Sequence, residues 1–196
     1  PASFFPLIPP RYRMHPAPEI ILASASPRRR ELLAGLGLTF RVLPSGAEER
    51  PWPREKPASY ALRNASDKAR LVAARLPEPA AARIISADTI VVLGDTILEK
   101  PADAADAARM LATLSGRAHQ VITGLVVLDA DRERGLAVIT DVVFRALSEA
   151  EIADYVATGE PMDKAGAYAI QGGAAGFVRG TRGSYTNAVG LPVVDL

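Results

Sequence analysis

Segments patterned for strands and segments patterned for helices alternate along this chain, and that alternation restricts the fold to the α/β class. Glu19-Ile20-Ile21-Leu22-Ala23 is a short apolar run with β-branched residues, a strand. Ser26 is a good N-cap and Pro27 suits a first helical position, so a helix is expected from Arg28 to Leu36, stopping at Gly37. Phe40–Leu43 reads as a second strand, and the proline-rich, charged stretch Glu48–Pro57 as a surface loop. Leu62, Ala65, Ala69 and Val72 recur at helical spacing and predict a long helix over Ala58–Leu76. Arg83–Leu93 is a strand pattern; the Gly94-Asp95 turn returns the chain through Thr96–Leu98. Asp103 caps a helix ending near Leu114, with Gly116 as its stop. Val121–Leu128 and Leu136–Phe144 are long strands joined by Asp129-Ala130-Asp131. Ser148-Glu149-Ala150-Glu151 is a capping box opening a helix to Ala157. The glycine-rich tail from Gly159 suggests short strands around Tyr168–Ile170 and Phe177–Arg179.

Composition removes several functions. With 196 residues, 48% of them hydrophobic, the chain can bury a sizeable core in one domain or two tightly joined lobes. We place that domain at residues 19–196 and read Pro1–Pro18 as a flexible, proline-rich lead-in. A net charge of +1 lacks the basic excess of a nucleic-acid binder, so a positive site must be local. The absence of cysteine excludes disulfides, thiolate zinc sites and a Cys nucleophile, and fits a cytoplasmic location. His15 and His119 are too few for a histidine cage; His119, between a helix stop and a strand, reads as structural. No apolar run reaches the roughly 20 residues that cross a bilayer, so no membrane partner is expected.

Four segments carry candidate chemistry. Ser24-Ala25-Ser26-Pro27-Arg28-Arg29 follows a strand and opens a helix, whose free N–H groups and partial positive charge favour an anion. Two serine hydroxyls and two guanidinium forks add phosphate-suited donors there. A solvated basic turn is the competing reading. Asp88 interrupts an apolar strand, between Ile84-Ile85 and Ile90-Val91-Val92, and a carboxylate buried there needs a cation or a metal. The Gly94-Asp95 turn would bring Lys100 beside Asp88 or Thr89, as a structural ion pair or facing a ligand. Glu48-Glu49 alone is a solvated loop pair; with Asp88 it could supply oxygen ligands for Mg²⁺. Lys68 alone reads as a surface lysine. In the run from Gly159 to Gly173, glycines allow close approach to a ligand and Gln171 offers a donor and an acceptor to a base edge. A plain connection between strands is the alternative.

Taken together these motifs resemble the Maf family of nucleotide pyrophosphatases, also described as septum-formation inhibitor proteins. The resemblance runs from Ile20 to Leu196. It rests on Leu22-Ala23-Ser24-Ala25-Ser26-Pro27-Arg28-Arg29-Arg30-Glu31-Leu32-Leu33, Glu48-Glu49, Asp67-Lys68-Ala69 and Ala87-Asp88-Thr89-Ile90-Val91. Leu98-Glu99-Lys100-Pro101, Leu114-Ser115-Gly116, His119-Gln120-Val121 and Asp163-Lys164-Ala165-Gly166 through Gly172 extend it. Gly183-Ser184-Tyr185 and Val189-Gly190-Leu191-Pro192 complete it.

The resemblance implies a mixed, twisted sheet with flanking helices and two lobes around a central cleft. It implies an enzyme that cuts a nucleoside triphosphate between its α- and β-phosphates with a divalent cation, Mg²⁺ or Mn²⁺. Asp88 would accept the proton, Lys68 and Lys100 would assist, and Ser24, Ser26, Arg28 and Arg29 would hold phosphate. Glu49 and Asp88 would bind the metal. Arg28, Thr89 and Gln171 fall where subfamilies differ, and Thr89 with Ile170-Gln171-Gly172 looks like the branch acting on dTTP and UTP. The partner expected is a nucleoside triphosphate, with no nucleic acid, and the sequence leaves a homodimer open. Ala25 stands where many members have glycine, and the family usually continues into a final helix beyond the point where this chain ends. The alternatives are a nucleotide-binding regulator of cell division without turnover, and a pyrophosphatase of the 7-methyl-GTP branch.

Overall fold

The computed structural model describes residues 18–130 and 132–196. The expected lead-in at residues 1–18 lies outside them, apart from Pro18. The strands are β1 (Glu19–Leu22), β2 (Arg41–Val42), β3 (Ala82–Leu93), β4 (Thr96–Leu98), β5 (Ala118–Asp129), β6 (Arg132–Phe144) and β7 (Val178–Arg182). The α-helices are α1 (Pro27–Ala34), α2 (Pro57–Ala73), α3 (Ala104–Leu114), α4 (Glu149–Ala157) and α5 (Tyr185–Val189). All seven strands join one sheet in the order β2-β1-β3-β5-β6-β7, with β4 on β3. β1 runs parallel to both β2 and β3, and the other pairs are antiparallel, so the sheet is mixed, as expected.

β3 is the organising strand. Alternate side chains of a strand point to opposite faces, and β3 is covered on both. Ile84 packs with Ala65, Ala69 and Val72 of α2 on one face. Ile85 and Ala87 pack with Leu33 of α1 and Leu191 on the other. Along one edge β5 pairs with β3 from Arg83 to Val92. Along the other edge β1 pairs only as far as Ile85 and β4 begins at Val91. Between them β3 has no strand neighbour on that side among the described residues, and Asp88 and Thr89 lie in this gap. A gap where neighbouring strands diverge is where open α/β sheets take ligands.

Several expected boundaries move. α1 ends at Ala34 rather than Leu36, and Gly37 sits in the following turn at φ +73°. α2 begins at Pro57, whose fixed φ suits a first helical turn, and ends at Ala73 rather than Leu76. β5 and β6 are longer than their apolar runs, because the ladder continues through exposed residues to Asp129↔Arg132. Tyr168–Ile170 is not a strand. All three residues are buried, with no outward alternation, and the Ala169 N–H donates to Tyr155 Oη at 3.0 Å instead of to a ladder. The short helix α5, capped by Ser184, was hidden in the glycine-rich tail. Among the described residues no helix is long and apolar enough to cross a membrane.

Candidate active site

The gap beside β3 opens into a cleft of about 410 Å³. Ser24, Ser26, Arg28, Arg29, Glu49, Lys68, Asp88, Thr89, Lys100 and Gln171 all line it. Residues spread over most of the chain therefore meet at one place, delivered by the β1–α1 turn, the loop before α2, α2, β3, the residues after β4, and the tail.

On the α2 side of β3 lies an acid cluster. Asp88 is 4% exposed. Its Oδ1 accepts from Lys68 Nζ at 2.6 Å and its Oδ2 from Asn64 Nδ2 at 3.0 Å. Lys68 Nζ also contacts Glu49 Oε1 at 2.5 Å, so one ammonium bridges two carboxylates. Lys68 is thus a buried site residue rather than the surface lysine its helix suggested. Asn64 and Lys68 are one helical repeat apart on α2 and face the same strand. The close approach depends on Gly124, cross-strand from Asp88, where a Cβ would overlap the Ala61 carbonyl of α2. Of the two readings of Lys100, the ion pair with Asp88 does not form among the described residues. β4 ends at Leu98, and beyond it Lys100 lines the cleft without an ion pair among the described residues. Glu48 turns away and pairs with Arg50 in solvent.

On the opposite side lies an arginine net. Ser26 caps α1, accepting from Arg29 N at 3.5 Å. The Arg29 guanidinium donates to Gly190 O at 2.8 Å, Ser24 Oγ at 3.1 Å and Thr89 Oγ1 at 2.9 Å. Thr89 Oγ1 shares a hydrogen bond with Thr123 Oγ1, which donates to the Asn187 carbonyl. Among the described residues every acceptor of Arg29 is neutral. Burial lowers its pKa, opposed by the more distant charges of Asp88 and Glu49. Arg28 lines the cleft without a side-chain hydrogen bond among the described residues.

Toward the tail the cleft is lined by Asp163, Lys164, Tyr168 and the exposed Gln171. Asp163 and Lys164 pair with each other, which lowers the Asp163 carboxyl below its ordinary value. His119 Nε2 bonds Tyr168 Oη at 2.8 Å behind this wall, and burial pushes the imidazole down to about 4. His119 is buried and does not line the cleft, in keeping with a structural residue. Its Nδ1 has no hydrogen-bond partner among the described residues, so it is not the fully satisfied group its position suggested.

The family model for Maf, described as Maf-like protein, matches residues 19–196. The chain belongs to this family. A dTTP/UTP pyrophosphatase of Geobacter sulfurreducens is 55% identical over 179 residues, covering 90% of this chain and 92% of the relative. The dTTP/UTP pyrophosphatase of Yersinia pestis is 52% identical over 176 residues, covering 90% and 88%. That of Anaeromyxobacter dehalogenans is 50% identical over 183 residues, covering 91% of each.

The motif residues of the sequence reading converge, but Asn64, Thr123 and Asn187 escaped it. Asn64 carried a signal: an amide one helical repeat before Lys68, on the apolar face of α2. Thr123 and Asn187 carried none, since their roles depend on strand pairing and on α5.

Proposed function

We propose that this chain is a nucleoside triphosphate pyrophosphatase that converts dTTP and UTP to the monophosphate and diphosphate. The observation that carries the reading is the polarity of one cleft. Two carboxylates share one ammonium on one side of β3, while Arg29 on the other side and Arg28 at the same helix start have no carboxylate partner among the described residues. A cation-seeking cluster beside an anion-seeking one suits a metal–triphosphate substrate.

The donor set fits a divalent metal. Glu49 and Asp88 bring carboxylate oxygens within 2.5 and 2.6 Å of the one point now taken by Lys68 Nζ. Oxygen-only donors, two from the protein and the rest from phosphate and water, match Mg²⁺ or Mn²⁺. Glu49 and Asp88 would hold the ion, which would supply Lewis-acid polarisation of phosphate oxygens and water.

Arg29, fixed by three neutral acceptors, holds phosphate through its remaining donor capacity and its charge. Arg28, Ser24, Ser26 and the free N–H groups of α1 complete the anion site. Lys100 neutralises phosphate from the β4 side. Asp88 takes a proton from the water that attacks the α-phosphorus. As the new O–P bond forms, the bond from the α-phosphorus to the bridging oxygen breaks, and diphosphate leaves with that oxygen. Lys68 balances the carboxylates until substrate arrives. Charge stabilisation of this kind supplies most of the rate in phosphoryl chemistry. The test is a panel of nucleoside triphosphates with Mg²⁺ or Mn²⁺, scored for monophosphate and diphosphate. Binding without turnover, or release of orthophosphate, would sink the reading.

A further inference from the structure

We infer that Asn64 is a positioning residue for Asp88: it fixes the carboxylate so that one oxygen faces the cleft and the other is held away from it. The inference rests on the pyrophosphatase reading above for its consequence, but on geometry for its content. Asn64 is 2% exposed and is not among the residues lining the cleft, so it does not touch substrate. Its amide meets Asp88 Oδ2 at 3.0 Å. A carboxylate offers only acceptors, so the amide must face it with its NH₂.

A lysine alone would hold Asp88 at one oxygen and leave the carboxylate plane free to turn, because that terminal torsion is broad. Two donors on two oxygens fix the plane. Both donors come from one helix, α2, whose distance from β3 and β5 is set by the missing side chain at Gly124. The oxygen gripped by Lys68 shares that ammonium with Glu49, and Lys68 and Glu49 both line the cleft, whereas Asn64 on the other oxygen does not. Asn64 therefore decides which oxygen works. Its neighbour Lys68 is exchangeable during the reaction, whereas a neutral amide buried behind the wall is not displaced by an arriving cation.

Three measurements test this. Asn64→Leu keeps the branched shape, at a somewhat larger volume, and removes the donor. It should lower kcat about 10- to 100-fold, the scale of one hydrogen bond to a charged group. KM and the nucleotide Kd should hold, because the loss lies at the reacting centre and not in binding. In an Asp88→Asn background the same substitution should cost nothing further, as expected for residues that act as a unit. Independently of turnover, the Asn64 side-chain amide resonances of the nucleotide-free protein should be protected from solvent exchange and should shift in Asp88→Asn. Unchanged kcat per folded molecule with a lowered Tm would overturn the inference in favour of simple structural satisfaction. So would losses that multiply in the double variant, or amide resonances indifferent to Asp88. If Asn64→Leu does not fold, Asn64→Ser, which fits the space but falls short of Oδ2, is read in the same way. Absence of diphosphate release by the wild type would instead fault the pyrophosphatase reading, while the resonance measurement would still decide the contact.

Discussion

On the α2 face of β3, Asp88 sits with Lys68, Glu49 and Asn64; on the opposite face, Thr89 sits with Arg29, Ser24 and Thr123. Neighbouring residues of one strand, pointing opposite ways, thus anchor two clusters of opposite character. The first sets two carboxylates against one ammonium, and its surplus is negative. The second holds one guanidinium among neutral oxygens, and its surplus is positive. A buried ion pair with matched charges has little to offer a ligand, because its Coulomb energy is already used against desolvation. Mismatched clusters keep that energy for what binds. At the β1–β4 gap residues of both faces line one cleft.

If the two faces divide the work, damage to one should spare the job of the other. Asp88→Asn carries the largest expected effect. It should lower kcat by ~10²–10⁴-fold, the usual cost of losing a positioned base. Nucleotide Kd measured by calorimetry should change little and the fold should persist, since Lys68 keeps Glu49 as a partner. Equal losses in Kd and kcat would break the division.

How much of this was legible in the sequence follows the same line. Asp88 announced itself because a carboxylate inside an apolar strand demands a partner. The Ser26–Pro27 helix start was visible because capping is local chemistry, and the alternation of elements gave the α/β class. The partner of Asp88 stayed open. The Gly94-Asp95 turn allowed Lys100 either as its ion pair or facing a ligand, whereas the partner is Lys68, which arrives from a helix whose depth depends on Gly124, and helix depth leaves no local trace. Tyr168–Ile170 misled for a related reason. Its apolar run is buried by packing against Tyr155 and His119, so burial without alternation imitated a strand.

Acid pH would test the carboxylate face directly, provided unfolding is separated from it. His119 stays neutral in the fold, with its imidazole pushed by burial from 6.5 down to about 4. An unfolded chain takes up that proton near the ordinary value, so below it the unfolded state binds more protons than the native one. The contribution is fully present above about pH 6.5 and is lost as pH falls toward about 4, by ~3 kcal/mol at most. Denaturant melts between about pH 7 and pH 5 should show the loss in the wild type and a flatter slope in His119→Gln. A slope unchanged in the variant would return the acid sensitivity to the cleft.

Arg29→Met tests the other face. Nucleotide binding should weaken about 10- to 100-fold, the value of one charge-assisted contact to phosphate. The loss should appear in KM and Kd more than in kcat. Arg29→Lys should recover little, because an ammonium cannot span Gly190 O, Ser24 Oγ and Thr89 Oγ1 together. A variant with normal Kd and low kcat would place Arg29 with the chemistry and erase the contrast with Asp88.

The smallest effect belongs to Gln171, which lies on neither face and is exposed in the open cleft. Thymine and uracil present a keto acceptor beside a ring N–H donor, and a carboxamide offers the complementary pair. Cytosine replaces that keto group with an amino donor, so it fits the same amide only if the amide turns over. The chain around Gln171 is well anchored, since Tyr155 Oη holds the Ala169 N–H and Glu160 accepts from the Gly173 N–H at 2.9 Å. The side chain itself has no partner among the described residues, so water competes for it and discrimination should be modest. Gln171→Ala should therefore cut the preference for dTTP and UTP over CTP by about 2- to 10-fold, the net worth of a neutral hydrogen bond. Turnover of a bound triphosphate should be spared, because neither Asp88 nor Arg29 has moved. The measurement is kcat/KM for dTTP, UTP, CTP, GTP and 7-methyl-GTP on the wild type and the variant. A wild type that prefers a guanine nucleotide would overturn the base assignment and leave the two faces of β3, and the proposed pyrophosphatase reaction, untouched.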